Sequence, residues 1–160
     1  MEKIIIINDK EFKQCAIFDR VYASKDGWVV SVHKNGQLGE PTKGHGNMHA
    51  NHKKLERPNA MNYDAPCKPY KNDKGKICYS QKKNIAALVL LAWVGTPAEA
   101  GLDEHGAVRD QPDHINRIPT DNRVENLRWT SRSENNRNKE NSKRRIDNIE
   151  RNDFAQFMEV

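Results

Sequence analysis

The sequence predicts an α+β fold: a compact strand–loop–strand–helix unit within residues 112–135, preceded by a strand-rich, loop-rich N-terminal part and followed by a basic helical tail. Three observations carry this. Leu127-Arg128-Trp129-Thr130 reads as a short strand running into Ser131-Arg132-Ser133-Glu134, an S-x-x-E capping box with Ser131 as N-cap and Glu134 at N3. Asn84 to Val94, NIAALVLLAWV, spaces Ile85, Leu88, Val89, Ala92 and Trp93 along one helix face. Upstream, short β-branched runs are divided by turn residues, as in strands and loops.

Taken in order, Ile4-Ile5-Ile6-Ile7 is the first expected strand. In Tyr22 to Val32, YASKDGWVVSV, Asp26-Gly27 marks a turn and Trp28 to Val32 a strand after it. Residues 34–66 are polar and rich in Gly, Asn, Pro and His, and read as loops with weak order. Cys67 to Ser80, CKPYKNDKGKICYS, reads as a hairpin turning at Asn72-Asp73-Lys74-Gly75. Its Lys68, Lys71, Lys74 and Lys76 oppose the single acid Asp73. Such a ribbon either touches a polyanion's backbone or uses edge lysines to block aggregation.

The helix after it carries Leu90 and Leu91 on a widened apolar face, so burial is expected, and Gly95 and Pro97 end it. Thr96 to Gln111 is read as an acidic connector. Asp113 and His114 then precede a turn. Adjacent strand residues face opposite ways, so the two converge only where the strand ends or bends; Pro112, Asn116 and Pro119 supply such an end. Beyond Asn135 the helix can continue through Lys139 to Arg145, with a thin apolar stripe at Ile146, Ile149 and Phe154.

Composition narrows the class. In 160 residues, hydrophobic side chains make up 36%, which limits the core to one modest domain or two very small ones. The net charge of +5 fits a polyanionic partner without requiring one. No apolar run is long enough to span a bilayer. Cys15, Cys67 and Cys78 form no C-x-x-C pair, and an odd count argues against a disulfide framework, so a reducing cytoplasm is the expected setting.

The Asp113-His114 pair, Asn126 before Leu127-x-Trp129, and Asn135 on the capped helix together resemble an HNH nuclease, and most closely the HNH homing endonucleases of phages and group I introns. The resemblance spans residues 84–138. Tyr22 to Ser31 resembles a small Y-x-S-x-x-G-x-V-x-S module that often precedes that core. The helix departs from the family's V-H-R-L-V-x-x-x-F: Ala86 and Ala87 stand at the His-Arg positions and Trp93 replaces the Phe.

The resemblance implies a ββα-metal core and hydrolysis of DNA to a 5′-phosphate and a 3′-hydroxyl. It makes His114 the general base, Asp113 and Asn135 the metal ligands, and Asn126 a structural residue that orients His114 through the loop. Leu127 and Trp129 should pack beneath the site. The chemistry agrees. A neutral imidazole can take a proton from water near pH 7, and Mg²⁺ (or Mn²⁺) needs only one or two protein oxygens. Expected contacts to double-stranded DNA come from Lys68, Lys71, Lys74, Lys76, Arg123, Arg137, Lys139, Lys143 and Arg144. Asn122 and Arg123 support the loop or touch phosphate.

The expected organisation is 1–80 as a DNA-contacting region, 81–140 as the nuclease core with its preceding helix, and 141–160 as the tail. The protein is expected in the cytoplasm (of a bacterial host, if phage-encoded), as a monomer or homodimer, off any membrane. A restriction or host-defence HNH nuclease, or a DNA-binding protein with an inactive core, are the alternatives. His45, His49 and His52 with Cys67 and Cys78 invite a zinc site, but the paired cysteines of zinc-binding relatives are absent and structural zinc is not expected.

Overall fold

The computed structural model describes residues 3–46 and 61–139. His49, His52, Lys143, Arg144 and the apolar stripe of the tail lie outside the described residues. The protein is mixed α+β. Strands β1 (Ile4–Ile7), β2 (Lys10–Gln14), β3 (Val21–Ala23) and β4 (Val29–Ser31) form an antiparallel sheet in chain order. Strands β5 (His45–Gly46), β6 (Met61–Lys71) and β7 (Ile77–Asn84) form a second sheet, and β8 (Gln111–His114) pairs with β9 (Leu127–Thr130). Helix α1 spans Ile85–Trp93 and α2 Pro97–Ala100; a 3-10 turn covers Val124–Asn126, and residues 132–139 form a helix, α3. Among the described residues no helix is long and apolar enough to cross a membrane.

Helix α1 begins where the Asn84 side chain accepts from Ala86 N at 2.8 Å, and ends before Gly95, whose φ of 132° suits a residue without a Cβ. Ile85, Leu88, Val89 and Leu90 are fully buried, each stabilising by about 1.5–3 kcal/mol relative to exposure. The helix packs against β2, β3, β6, β7, β8 and β9. Its core cluster therefore joins Cys15, Val21, Ala23 and Val29 of the first sheet to Ala65 of β6 and to Leu127 and Trp129 of β9.

Period-two alternation explains why β3 is buried at every position. Val21 and Ala23 face α1, while Tyr22 faces a second cluster with Phe12 and Val30 on the opposite side of the sheet. Trp28 packs against that cluster with Lys43 5.3 Å from its ring centroid. On β1, Ile5 and Ile7 turn inward while Ile4 and Ile6 are exposed.

Three expectations need correction. Residues 34–66 are not simply weakly ordered loop: Thr42 pairs with Val29, His45 and Gly46 pair with β6, and β6 starts at Met61. The hairpin is correspondingly longer than Cys67 to Ser80, running from Met61 to Asn84. A bulge between Pro66 and Tyr70 lets two prolines sit in β6 without breaking it. The stretch Thr96 to Gln111 is more than a connector. Thr96 and Glu99 cap α2 reciprocally, Leu102 bridges Val108, and Gln111 already belongs to β8.

Candidate nuclease site

Strand β8 places Pro112, Asp113 and His114 at the edge of a cleft of about 250 Å³. Helix α3 supplies Asn135, Asn138 and Lys139 to the same cleft, and Asn84, Arg117 and Pro119 complete its wall. The cap that aims the helix is reciprocal: Glu134 N donates to Ser131 Oγ at 3.2 Å and Ser131 N to Glu134 Oε2 at 3.0 Å. Arg109 reinforces it through a bidentate pair with Glu134, 2.9 Å at its shortest. Hydrogen bonds from Arg109 and from the Ser131 N–H hold the Glu134 carboxyl below its ordinary pKa. The helix thus carries Asn135 to the cleft that Asp113 also lines.

His114 closes β8 opposite Leu127, and the chain turns at once: Arg117 has a φ of 64° and its N–H donates to the His114 carbonyl at 2.9 Å. This is the strand end that lets neighbouring side chains share one cleft. His114 Nε2 lies 2.8 Å from Asn122 Oδ1. An amide oxygen can only accept, so a neutral imidazole in this contact carries its proton on Nε2 and keeps its lone pair on Nδ1. Asn122 itself is buried.

Asn126 is outside the cleft wall and underpins the loop. Its Oδ1 accepts from Asn116 N at 2.9 Å, and its Nδ2 donates to Asn116 Oδ1 at 2.9 Å and to the Asp121 carbonyl at 2.8 Å. Its backbone carbonyl accepts from Ile115 N at 2.8 Å. Every polar atom of the side chain is thus spent on the Asn116–Asp121 turn that carries Asn122 to the imidazole.

Asp113 is buried, with 6% of its surface exposed, and lies opposite Arg128 across the strand pair. Its Oδ2 accepts from Arg128 Nε at 3.0 Å and Nη2 at 2.9 Å, and its Oδ1 from Asn138 Nδ2 at 3.0 Å. Asn135 is also buried; its Nδ2 donates to Gln111 Oε1 at 3.1 Å, which leaves the amide oxygen as the end able to meet a cation. One carboxylate and one amide oxygen in a cleft that also holds an imidazole are a donor set that suits a hard divalent ion.

The expected DNA-contacting residues divide into three groups. Lys68, Lys71, Lys74 and Lys76 are all exposed on the hairpin, whose turn is tied by Asn72 Oδ1 accepting from Lys74 N at 3.1 Å and Lys76 N at 2.9 Å. Arg123 is engaged by Asp121 at 2.7 Å, which supports the loop reading; the guanidinium, first by hydrogen bond and then by charge, pulls the Asp121 carboxyl well below its usual range. Arg137 pairs with Glu104 at 3.0 Å, while Lys139 lines the cleft. Strand register separates His45, opposite Asn62, from Cys67 by about 17 Å along β6, too far for one zinc ion.

Sequence reasoning did not assign Asn122 to the imidazole or Arg128 and Asn138 to Asp113. Asn138 had a signal in its i+3 spacing from Asn135 on the helix; Arg128 had one in its alternation with the buried Leu127 and Trp129.

The unit is thus a strand pair joined by a loop, a capped helix packed beside it, and Asp113, His114 and Asn135 in one cleft. Residues 100–137 match a family model described as HNH endonuclease, which covers β8, the loop, β9 and most of α3. That match supports nuclease activity with DNA as substrate. No curated protein and no solved structure matches the chain.

Proposed function

We propose that the protein is a divalent-cation-dependent DNA endonuclease of homing type, cleaving a phosphodiester to leave a 5′-phosphate and a 3′-hydroxyl. The observation that supports it most is the single cleft shared by Asp113, His114 and Asn135. His114 acts through Nδ1 as the base that takes a proton from the attacking water, and Asn122 fixes the tautomer that leaves Nδ1 free. Asp113 and the Asn135 oxygen would hold the cation, Mg²⁺ or Mn²⁺, which would supply Lewis-acid offset of the charge that develops in hydrolysis. Asn126 keeps the loop in register. Lys139, and the hairpin lysines farther out, grip phosphates.

Incubating plasmid with the protein and Mg²⁺ or Mn²⁺, with and without EDTA, tests this: cutting that EDTA abolishes is the expected result. One observation favours a DNA-binding protein with an inactive core, namely that both oxygens of Asp113 are already engaged. Duplex binding with no cutting at any Mg²⁺ or Mn²⁺ concentration would select that reading.

A further inference from the structure

We infer that Arg128 is a latch on the cation site: it occupies Asp113 in the free protein and is drawn off when a phosphodiester enters the adjoining cleft. The inference rests on the assignment of Asp113 as a cation ligand.

The geometry is that of direct competition. Arg128 places two N–H donors on Asp113 Oδ2, at 3.0 and 2.9 Å, and Asn138 Nδ2 is shared between Oδ1 at 3.0 Å and Oδ2 at 3.1 Å. A Mg²⁺ ion binds carboxylate oxygen at about 2.0–2.1 Å and needs a lone pair aimed at it. A guanidinium on the same oxygen both uses the lone pair and repels the incoming charge. Arg128 is unlike the arginine beside it in one respect. Arg109 is committed to the α3 cap through Glu134, whereas nothing in the α3 cap or the loop turn depends on Arg128.

The guanidinium also has somewhere to go. Arg128 side chain is 48% exposed and lines a second cleft, of about 350 Å³, with Arg137 and Arg109. Asn138 lines both clefts, so the two meet at the residue whose amide also bonds the Asp113 carboxylate. A backbone phosphate seated there, with Arg137 exchanging its exposed Glu104 partner for it, offers Arg128 a bidentate partner as good as a carboxylate. The protein would then take up its cation together with DNA and poorly without it. By linkage, the cation would tighten DNA binding by the same factor.

Mn²⁺ titration of the full chain, followed by electron paramagnetic resonance of the free ion, tests the latch. Arg128→Gln keeps a donor near Asp113 without the charge and should bind Mn²⁺ about tenfold more tightly than the unaltered protein, because the cation no longer meets a like charge on its ligand. Arg128→Lys, with one point charge instead of a fork, should fall between, and serves if the glutamine variant does not fold. Equal or weaker Mn²⁺ binding in these variants overturns the latch. In a His114→Ala background, which prevents cutting, a short DNA duplex should tighten Mn²⁺ binding when Arg128 is present and leave it unchanged in Arg128→Gln; no effect of duplex in either overturns the exchange with phosphate. The cation assignment itself fails in a different way: Asp113→Asn would then leave Mn²⁺ binding unaltered.

Discussion

A Cβ on Gly27 would stand 2.8 Å from Cβ of Asn122, the residue whose Oδ1 meets His114 Nε2. The β3–β4 turn is therefore pressed onto the loop that holds the proposed base, and Val124 N completes the seat by donating to the Lys25 carbonyl at 2.8 Å. Gly27→Ala should lower kcat about 10–100-fold by displacing Asn122, with DNA affinity kept. Gly36 is the control, since its φ of 83° is close to the 89° of Gly27 while nothing lies within 4 Å of its would-be Cβ. Gly36→Ala carries the same backbone strain and should cut normally. Nicking kinetics and duplex binding on the two variants distinguish an effect at Asn122 from strain alone.

His114→Ala should abolish cutting while leaving most duplex affinity, because the grip on phosphate is proposed to come from the lysines and not from the imidazole. Asn122→Ala should lower kcat less, by about tenfold to a hundredfold, since the imidazole survives but loses its fixed tautomer. A gel-shift titration beside a cleavage assay reads both; parallel loss of binding and cutting in His114→Ala would contradict the base role.

Acid should destabilise the fold through carboxylates that hydrogen bonds and ion pairs hold ionised. Hydrogen bonds from Arg109 lower the Glu134 pKa below 4.5, and Arg123 lowers that of Asp121 below 3.8. For a carboxyl depressed by folding, the unfolded chain binds the proton more readily, so the stabilisation is complete above the unfolded value and is lost as pH falls through the folded one. The melting temperature should therefore hold above pH 4.5 and decline below it. Glu134→Gln should flatten part of that decline, which thermal melts across the acid range would show.

Cys15 should resist alkylation in the folded protein. Burial pushes its thiol pKa up to about 12, and its Sγ donates to the Leu88 carbonyl at 3.3 Å, so almost no thiolate forms at neutral pH. Cys67 and Cys78 are only partly buried. Mass spectrometry after brief iodoacetamide treatment should find label on those two, and on Cys15 only after denaturation.

Replacing Lys68, Lys71, Lys74 and Lys76 together with Ala should weaken duplex binding and reduce the salt dependence by up to about 3–4 in the log–log slope, at roughly 0.9 per lost phosphate contact. The hairpin bounds where those contacts fall. Asn84, the last residue of β7, lines the cleft, and Ile77 at the other end of the strand, next to the turn, lies about 23 Å away, less than one helical turn of DNA. Footprinting should show the protection lost in the variant within about one turn of the cut. An unchanged slope would show the lysines to be solvated edge charges instead.

What the sequence revealed and what it hid follow from distance along the chain. Asp113, His114, Asn135 and the Ser131–Glu134 cap lie within a short span, and their roles are written in local chemistry: a strand end, an N-cap, a helix spacing. Helix α1 was equally readable because its apolar face is nearly continuous. The engagement of Asp113 by Arg128, the seat of Gly27 on Asn122 and the early start of β6 are tertiary. Met61-Asn62-Tyr63-Asp64 has little intrinsic strand preference and becomes a strand by pairing with β7, with Ala65 sealed in the core.

Helix α1 also limits how this protein can be re-engineered. Its side chains are the common floor for the first sheet, the long hairpin and the strands of the nuclease unit, so a cut made at either end of it would strip all three of their support. Chimaeras that exchange the N-terminal half for another must carry α1 and its partners Cys15, Ala65 and Trp129 as one inseparable block, and a bare fragment beginning at β8 would have no floor to fold upon.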